Sequence, residues 1–391
     1  MFKYLRLMDF SEQINNNPTP STSRKHHHNS HSEEQQGEFH SQFNEQEFQK
    51  QLDAVGPRVV GGGVILPTNS EINKLLDSDS ITVMCFTWNI AGKANRSLFQ
   101  LNNLFSKMPP LERPSLIALA LQELPTSTIK FHSTVLQSLG KSLALTHRVF
   151  CWVRKWSQML VLFIKHSLSL FTSEPEYRFV AGINLASPFR TKGAISIRFR
   201  LFQCQCIFVA CHLAHGKLER RILDYRRISA QFDFETLQKQ SGKNLVNIFW
   251  FGDLNFRVYK REELSDVAEN MQKRLFRRQA DFQRILAHDE LSLERENGLF
   301  KGFREAIIKF PPTHKFKIDS NLYAQNRMPS YTDRVLYWTN PEPECLIAIR
   351  YDCIWEVYCS DHKPVYCIFR MKVMKNPDSK IKINGNLTKT K

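Results

Sequence analysis

Val246-Asn247-Ile248-Phe249-Trp250-Phe251-Gly252-Asp253-Leu254-Asn255-Phe256-Arg257-Val258 is the stretch on which the reading of the chain turns. Its first half is dominated by apolar, largely β-branched and aromatic residues, which predicts a buried strand. The run breaks at Gly252, where the backbone can turn sharply. Asp253 and Asn255 then flank Leu254, so strand alternation points both side chains toward one place. A carboxylate there can take a proton from water, and an amide can hold that water or a phosphate oxygen. The same residues also suit a plain turn. What separates the two readings is the partners that the rest of the chain supplies.

At 391 residues and 42% hydrophobic content, the chain can bury a sizeable core. Its formal charge of +16 is uneven: residues 1–80 hold 7 basic and 11 acidic side chains, which leaves a surplus of 20 positive charges beyond them. Such a surplus draws polyanions of several kinds, whether phosphorylated small molecules, anionic lipid or nucleic acid. The 9 cysteines include no Cys-x-x-Cys pair and read as reduced core residues. No stretch approaches the roughly 20 apolar residues of a membrane span, and Lys3, Arg6 and Asp9 interrupt anything like a secretory signal at the start. A cytoplasmic protein is the expectation.

Residues 11 to about 57 are rich in Asn, Gln, Ser, Glu and His and lack the aliphatics for a core, which predicts a disordered extension. With the Gly61-Gly62-Gly63 linker, this extension occupies residues 1–79 and the folded domain residues 80–371. A basic tail follows over residues 372–391, with six lysines against Asp378. Within the domain, strands are predicted at residues 81–88, 115–121, 158–164, 194–199, 206–211, 246–251, 335–338 and 365–369, and helices at 217–228 and 264–286. This mixture indicates an α/β domain with extensive sheet. Polar residues recur where strands end: Asn89, Glu123, His212, Asp253 and Asn255. That is how an α/β site is usually assembled.

Asn89 and Glu123 offer oxygen ligands, which suit a hard cation such as magnesium rather than zinc. His212 closes the strand-like FVACH run, and Asp361-His362 lies in a turn leading into the last strand. An acid beside an imidazole favours the protonated ring, which can stabilise charge on a phosphoryl group. The block Phe310-Pro311-Pro312-Thr313-His314-Lys315-Phe316 sets a hydroxyl, an imidazole and an ammonium behind two rigid prolines. Arg327 to Arg334 sets guanidinium groups on both sides of Asp333. Cations on stiffened loops are what phosphate recognition needs. An internal Asp333-Arg334 ion pair and a solvated Lys315 are the plainer alternatives.

Taken in order, the blocks TWNIAG, LQE, RTKGAISI, HLAHG, GDLNFR, FPPTHKF, MPSYTDRVLYW and SDHKPV resemble the catalytic domain of the inositol polyphosphate 5-phosphatases, in the magnesium-dependent endonuclease/exonuclease/phosphatase superfamily that includes DNase I. The resemblance implies a two-sheet α/β sandwich of the DNase I-like type, with the site at one end of the sheets. It implies that Asn89 and Glu123 bind Mg2+, that Asp253 orients or deprotonates the attacking water, and that Asn255 positions water or phosphate. It further implies that His212 and His362 contact the 5-phosphate, with Asp333 orienting His362 and Asp361 near the metal. Lys192, Lys315 and Arg327 would contact ring phosphates, together with His314, which stands where the family has a tyrosine. Thr191, Tyr331, Thr332 and Gln325 also depart from the family pattern, which bears on head-group preference. The implied substrates are phosphoinositides or soluble inositol polyphosphates. The expected setting is peripheral, at the anionic cytosolic face of membranes, with no nucleic-acid substrate and no accessory domain for protein partners. A nuclease of the same superfamily and a catalytically dead lipid binder are the rival readings. The proline-lysine and Arg327 to Arg334 blocks oppose the first, and the complete set of hydrolytic residues opposes the second.

Overall fold

The computed structural model describes residues 59–60, 64–65, 68–76, 78–125, 131–182, 192–239, 245–259, 264–272, 279–325 and 327–373. Of the extension and linker expected over residues 1–79, residues 1–58 lie outside the described residues, as do Thr191 and the basic tail beyond residue 373; within the expected linker a helix, Asn69–Leu75, capped by Thr68, buries Ile72, so the folded part begins before residue 80. The domain that begins after Val59 is built on two six-stranded sheets. One contains β1 (Ser80–Asn89), β2 (Leu116–Gln122), β3 (His147–Lys155), β4 (Gln158–Lys165), β11 (Leu346–Cys353) and β12 (Val365–Lys372), in the order β11-β12-β1-β2-β4-β3. The other contains β5 (Glu176–Ala181), β6 (Gly193–Leu201), β7 (Cys204–His212), β8 (Val246–Asp253), β9 (Arg304–Glu305) and β10 (Asp333–Asn340), in the order β9-β10-β8-β7-β6-β5.

Each sheet has one parallel pair at its centre, β1 with β2 and β7 with β8, and antiparallel neighbours elsewhere. All residues of β2 and β8 are buried, because both faces of a central strand are covered. Between the sheets, Phe249 stacks on Phe208 at 4.7 Å and meets the edge of Phe369 from the other sheet at 5.2 Å. On the outer face of the second sheet, Trp250 packs against Phe234, Phe300, Phe303 and Tyr225, beneath the helix Leu218–Gln231. The helix Ala94–Lys107 covers the first sheet through Leu98, Leu101, Leu104 and Phe105, a spacing that keeps one face apolar.

All eight predicted strands are present; that expected at 115–121 is shifted by one residue, and the others are longer by one to four residues. Within the two six-stranded sheets, the four strands that were not predicted, β3, β5, β9 and β11, are the four edge strands. An edge strand has one flank open to solvent, so it carries no continuous apolar run: β5 is exposed over Glu176–Phe179. Within the helix expected over residues 264–286, Ser265–Gln272 and Gln279–Leu286 are helical, and residues 273–278 lie outside the described residues. The helices Ala94–Lys107 and Phe131–Leu143 went unpredicted although their apolar spacing is regular.

Gly252 fixes how β8 lies on β7. Its φ is +143°, and a Cβ there would meet the Cys211 carbonyl oxygen at 2.0 Å. Gly216 has φ +91° with open space around it. Gly252→Ala is therefore expected to cost on the order of 3 kcal/mol of unfolding free energy, against about 1 kcal/mol for Gly216→Ala. Urea denaturation followed by tryptophan fluorescence checks this, and equal losses at the two positions would show that the Cys211 carbonyl is not the constraint.

Candidate active site

The two parallel pairs end at the same place. Asn89 closes β1 and Asp253 closes β8, and the Asn89 amide Nδ2 donates to Asp253 Oδ2 at 2.9 Å, joining the sheets across their ends. Register sets the other neighbours: Asp253 pairs with His212 on β7 and with Asp333 on β10. His212 Nε2 lies 3.2 Å from Asp253 Oδ2, and His362 Nε2 lies 3.9 Å from it. Burial alone would raise the Asp253 pKa, but the charge of His362, followed by the hydrogen bond from His212, holds it well below the usual carboxylate range.

Asn255 is not placed by simple alternation. The strand stops at Asp253, and Asn255 takes a left-handed φ of 58°. Its backbone N–H donates to Asp253 Oδ1 at 3.0 Å, while its side-chain Nδ2 turns to the Leu213 carbonyl at 3.0 Å. The sequence expectation that the two side chains point the same way is corrected here. The local turn chemistry of an Asp two residues ahead of a backbone N–H wins over strand alternation.

His362 is held from several sides. Its Nδ1 lies 2.9 Å from Asp333 Oδ2, its carbonyl accepts from Trp88 Nε1 at 3.1 Å, and its N–H donates to Ser360 Oγ at 3.2 Å. Thr313 and Thr332 hydroxyls also donate to Asp333 Oδ2, at 2.9 and 2.8 Å. Burial opposes a charged His362, but the nearby Asp333 and Asp253 outweigh it and push the ring up to about 9. Burial lifts Asp333 above its ordinary value, with His362 acting against it. The alternative of an Asp333-Arg334 ion pair is not what forms. Arg334 points away along β10 to Asp289 and Glu305, each at 2.7 Å.

On the opposite side, Lys192 Nζ touches the His212 ring. Burial and then the Lys192 charge push His212 below its ordinary value, so its ring is neutral. Burial likewise lowers Lys192, against the pull of Asp253 and Glu123. Glu123 stands at the mouth, its side chain 45% exposed, with Lys192 Nζ at 3.9 Å and His212 Nε2 at 3.8 Å. Those separations are too long to be hydrogen bonds, so they leave its oxygens open to another ligand. Asn89 Oδ1 accepts one bond, from Ala91 N at 3.0 Å, and keeps a second lone pair. An all-oxygen pair of this kind fits a hard divalent cation that takes its remaining ligands from water and phosphate. Two other groups, His314 with Asp361 and His362, and Asp253 with Asp333 and His362, bring donor atoms within 4.8 Å of one another. Both rely on His362, whose raised pKa makes it a poor ligand at neutral pH.

At the rim, Lys315 Nζ pairs with Asp361 Oδ2 at 3.2 Å. Arg327 is exposed, and none of the contacts described above includes it. His314 is buried rather than solvated, its ring 4.3 Å from that of His362. Burial, followed by the charges of His362 and Arg257, holds it well below the ordinary histidine value. Arg257 reaches both His314 and Asn255. Its only sequence signal was its place two residues after Asn255, and it was assigned no role there.

Comparisons with known proteins agree with this geometry. The family described as Endonuclease/Exonuclease/phosphatase family 2 matches residues 86–368. Phosphatidylinositol polyphosphate 5-phosphatase type IV of Rattus norvegicus is 28% identical over 340 residues, 82% of this chain and 50% of the relative. Type IV inositol polyphosphate 5-phosphatase 11 of Arabidopsis thaliana is 30% identical over 294 residues, 73% of this chain and 81% of the relative. The chain spans about half the length of the mammalian type IV relatives it matches. Among solved structures, the inositol polyphosphate 5-phosphatase domain of SPsynaptojanin, in complex with inositol (1,4)-bisphosphate and calcium ion, superposes with a TM-score of 0.57 at 22% identity, covering 78% of this chain and 90% of that one. A Cimex nitrophorin in its ferrous NO complex superposes with a TM-score of 0.61 at 20% identity, covering 76% of this chain and all of that one. These likenesses fix a two-sheet DNase I-like fold and not a chemistry.

The charge on His362 is open to direct measurement. Its folded pKa of about 9 stands above the ordinary 6.5. The stability it contributes is therefore complete below 6.5 and lost as pH rises through 9. The His362 ring-proton resonance is expected to titrate near 9, and Asp333→Asn should move that midpoint down. A wild-type midpoint near 6.5 would show that the Asp333 pair does not hold the proton.

Proposed function

The chain belongs to the Endonuclease/Exonuclease/phosphatase family 2, and on that premise we propose that it hydrolyses the 5-phosphate of phosphoinositides or soluble inositol polyphosphates, with a divalent cation, Mg2+, held at Asn89 and Glu123. The observation that carries this reading is the buried Asp253 carboxylate between a neutral His212 and a cationic His362. The names of the similar relatives and the inositol phosphate and calcium of the SPsynaptojanin domain support the substrate class and the hard cation.

Water attacks the phosphorus in line, a new P–O bond forms, the bond from phosphorus to the ring oxygen breaks, and that oxygen leaves as a hydroxyl, taking up one proton for the one the water gives up. Asp253 accepts a hydrogen bond from that water and aims it. A carboxylate held well below its ordinary pKa orients the water better than it retains a proton. The His362 imidazolium sits where charge on the phosphoryl oxygens develops, and Lys192 with His212 faces it from the other side. A bound magnesium ion supplies further neutralisation of phosphoryl charge. Lys315 and the exposed Arg327 would meet other ring phosphates. The positive surplus beyond residue 80 supports a peripheral place at the anionic cytosolic face of a membrane, in the cytoplasm. A nuclease reading is weaker, because the stiffened Lys315 loop suits a compact polyphosphate better than a duplex.

Phosphate release measured on inositol lipids, soluble inositol phosphates and a DNA control is expected for the first two alone. EDTA should abolish it while circular dichroism stays unchanged. Asp253→Asn should lower kcat by about a hundred- to ten-thousand-fold. Near-normal turnover in that variant would remove Asp253 from the mechanism, and release from DNA in place of inositol phosphates would sink the proposal.

A further inference from the structure

Arg257 Nη1 lies 2.7 Å from His314 Nδ1, its Nη2 donates to Asn255 Oδ1, and its Nε donates to the Asn255 carbonyl at 3.2 Å. A guanidinium has five N–H donors and no acceptor. Whatever it bonds must offer a lone pair. An imidazole offers one only when neutral, and the ring proton is then on the other nitrogen. Asn255 must likewise turn its oxygen to Arg257, which leaves its Nδ2 for the Leu213 carbonyl at 3.0 Å.

We propose that Arg257 is a positioning residue that locks His314 as the neutral ring protonated at Nε2 and fixes the Asn255 amide with the same group, so that the pocket wall beside Lys315 presents a permanent neutral N–H donor rather than a titrating cation.

The surroundings of His314 act the same way. Arg257, the His362 imidazolium and Lys315 each oppose a positive charge on it and Asp253 favours one, while Asp361, whose carboxylate lies within 4.8 Å of the ring, is paired with Lys315 at 3.2 Å. The Asp253 carboxylate is already engaged by Asn89, His212 and the Asn255 backbone. Nor can the main chain swing the ring free, since His314 N donates to the Ser330 carbonyl at 3.2 Å and the His314 carbonyl accepts from Ser330 N at 2.7 Å. Arg257 is itself seated by its backbone N–H on Glu290 Oε2 at 2.8 Å. Under the proposed function, a substrate phosphate near Lys315 gains a hydrogen bond from this ring that does not change with pH in the neutral range. The pocket thus draws its selectivity there from shape and direction, not from added charge.

The test is the imidazole 15N spectrum of the full chain labelled at histidine, with His314 assigned by its loss in His314→Gln. Wild type is expected to show a split pair, Nε2 protonated and Nδ1 bare, unchanged between about pH 5.5 and 8. Arg257→Met should collapse the split toward averaged tautomers and bring a titration into that range. Arg257→Lys, which keeps a donor and a charge, should restore part of it. A wild-type ring that titrates within the range, or that carries its proton on Nδ1, overturns the inference, as does an unchanged spectrum in Arg257→Met. If Arg257→Met does not fold, the wild-type spectrum decides alone. The inference about pocket selectivity rests on the proposed phosphatase reading. The spectrum needs no substrate, so absence of phosphate release would sink that reading without touching the tautomer result.

Discussion

Two carboxylates, Asp253 and Asp333, face each other across neighbouring strands with one imidazolium, His362, bonded to the second and within 4 Å of the first. Burying two acids side by side is costly unless a cation is fixed between them. The placement of the turn carrying His362 follows from that requirement. Trp88 and Ser360 hold its backbone, Thr313 and Thr332 complete Asp333, and Asn89 and His212 complete Asp253. Register is equally constrained. A slip of one residue between β8 and β10 would bring Gly252 or Arg334 to the site and leave an acid without its partner.

The same crowding explains why three histidines in one pocket are in different states. His362 has two acids and is charged. His212 has Asp253 and Glu123 near it, but burial and the lysine against it prevail, and His314 has burial, His362 itself and an arginine against it. Neighbouring groups that push pKa values apart divide the roles of otherwise identical side chains. A pocket with one fixed cation ring and two neutral ones can place charge on one side of a phosphoryl group while offering hydrogen bonds elsewhere.

The centre of this molecule was readable in its sequence because a strand covered on both faces must be apolar along its length. β2 and β8 announce themselves, and so do the polar residues where they stop. The edges were not readable, since β3, β5, β9 and β11 answer to solvent on one flank and mix charged with apolar residues. Among site residues, types and approximate positions were legible and orientations were not. Asn255 was assigned to Asp253's direction, but a left-handed backbone turns it toward Leu213 and Arg257. His314 was read as a phosphate contact, and nothing in FPPTHKF tells that Arg257, 57 positions earlier, closes over it.

Lys363 shows how the rim and the catalytic turn are made into one body. It is fully buried, and its described hydrogen bonds go to the Trp355 and Val357 carbonyls, at 2.9 and 2.6 Å, and to Asn321 Oδ1. The Phe316 and Trp355 rings lie 4.8 and 5.2 Å from its ammonium. Burial lowers it to about 8, so at neutral pH it remains a cation held by carbonyl dipoles and π faces in place of a carboxylate. Those partners belong to two separate loops, and Lys363 N also bonds the Thr313 carbonyl at 2.9 Å while Phe316 N bonds the Asp361 carbonyl at 3.0 Å. Lys315 and His362 are the chain neighbours of Phe316 and Lys363. Lys315, proposed to contact phosphate, is thereby indexed to His362, proposed to stabilise charge on the phosphoryl group. A carboxylate partner would have tied Lys363 to one residue. Carbonyls and rings from several segments let a single buried charge hold the segments together.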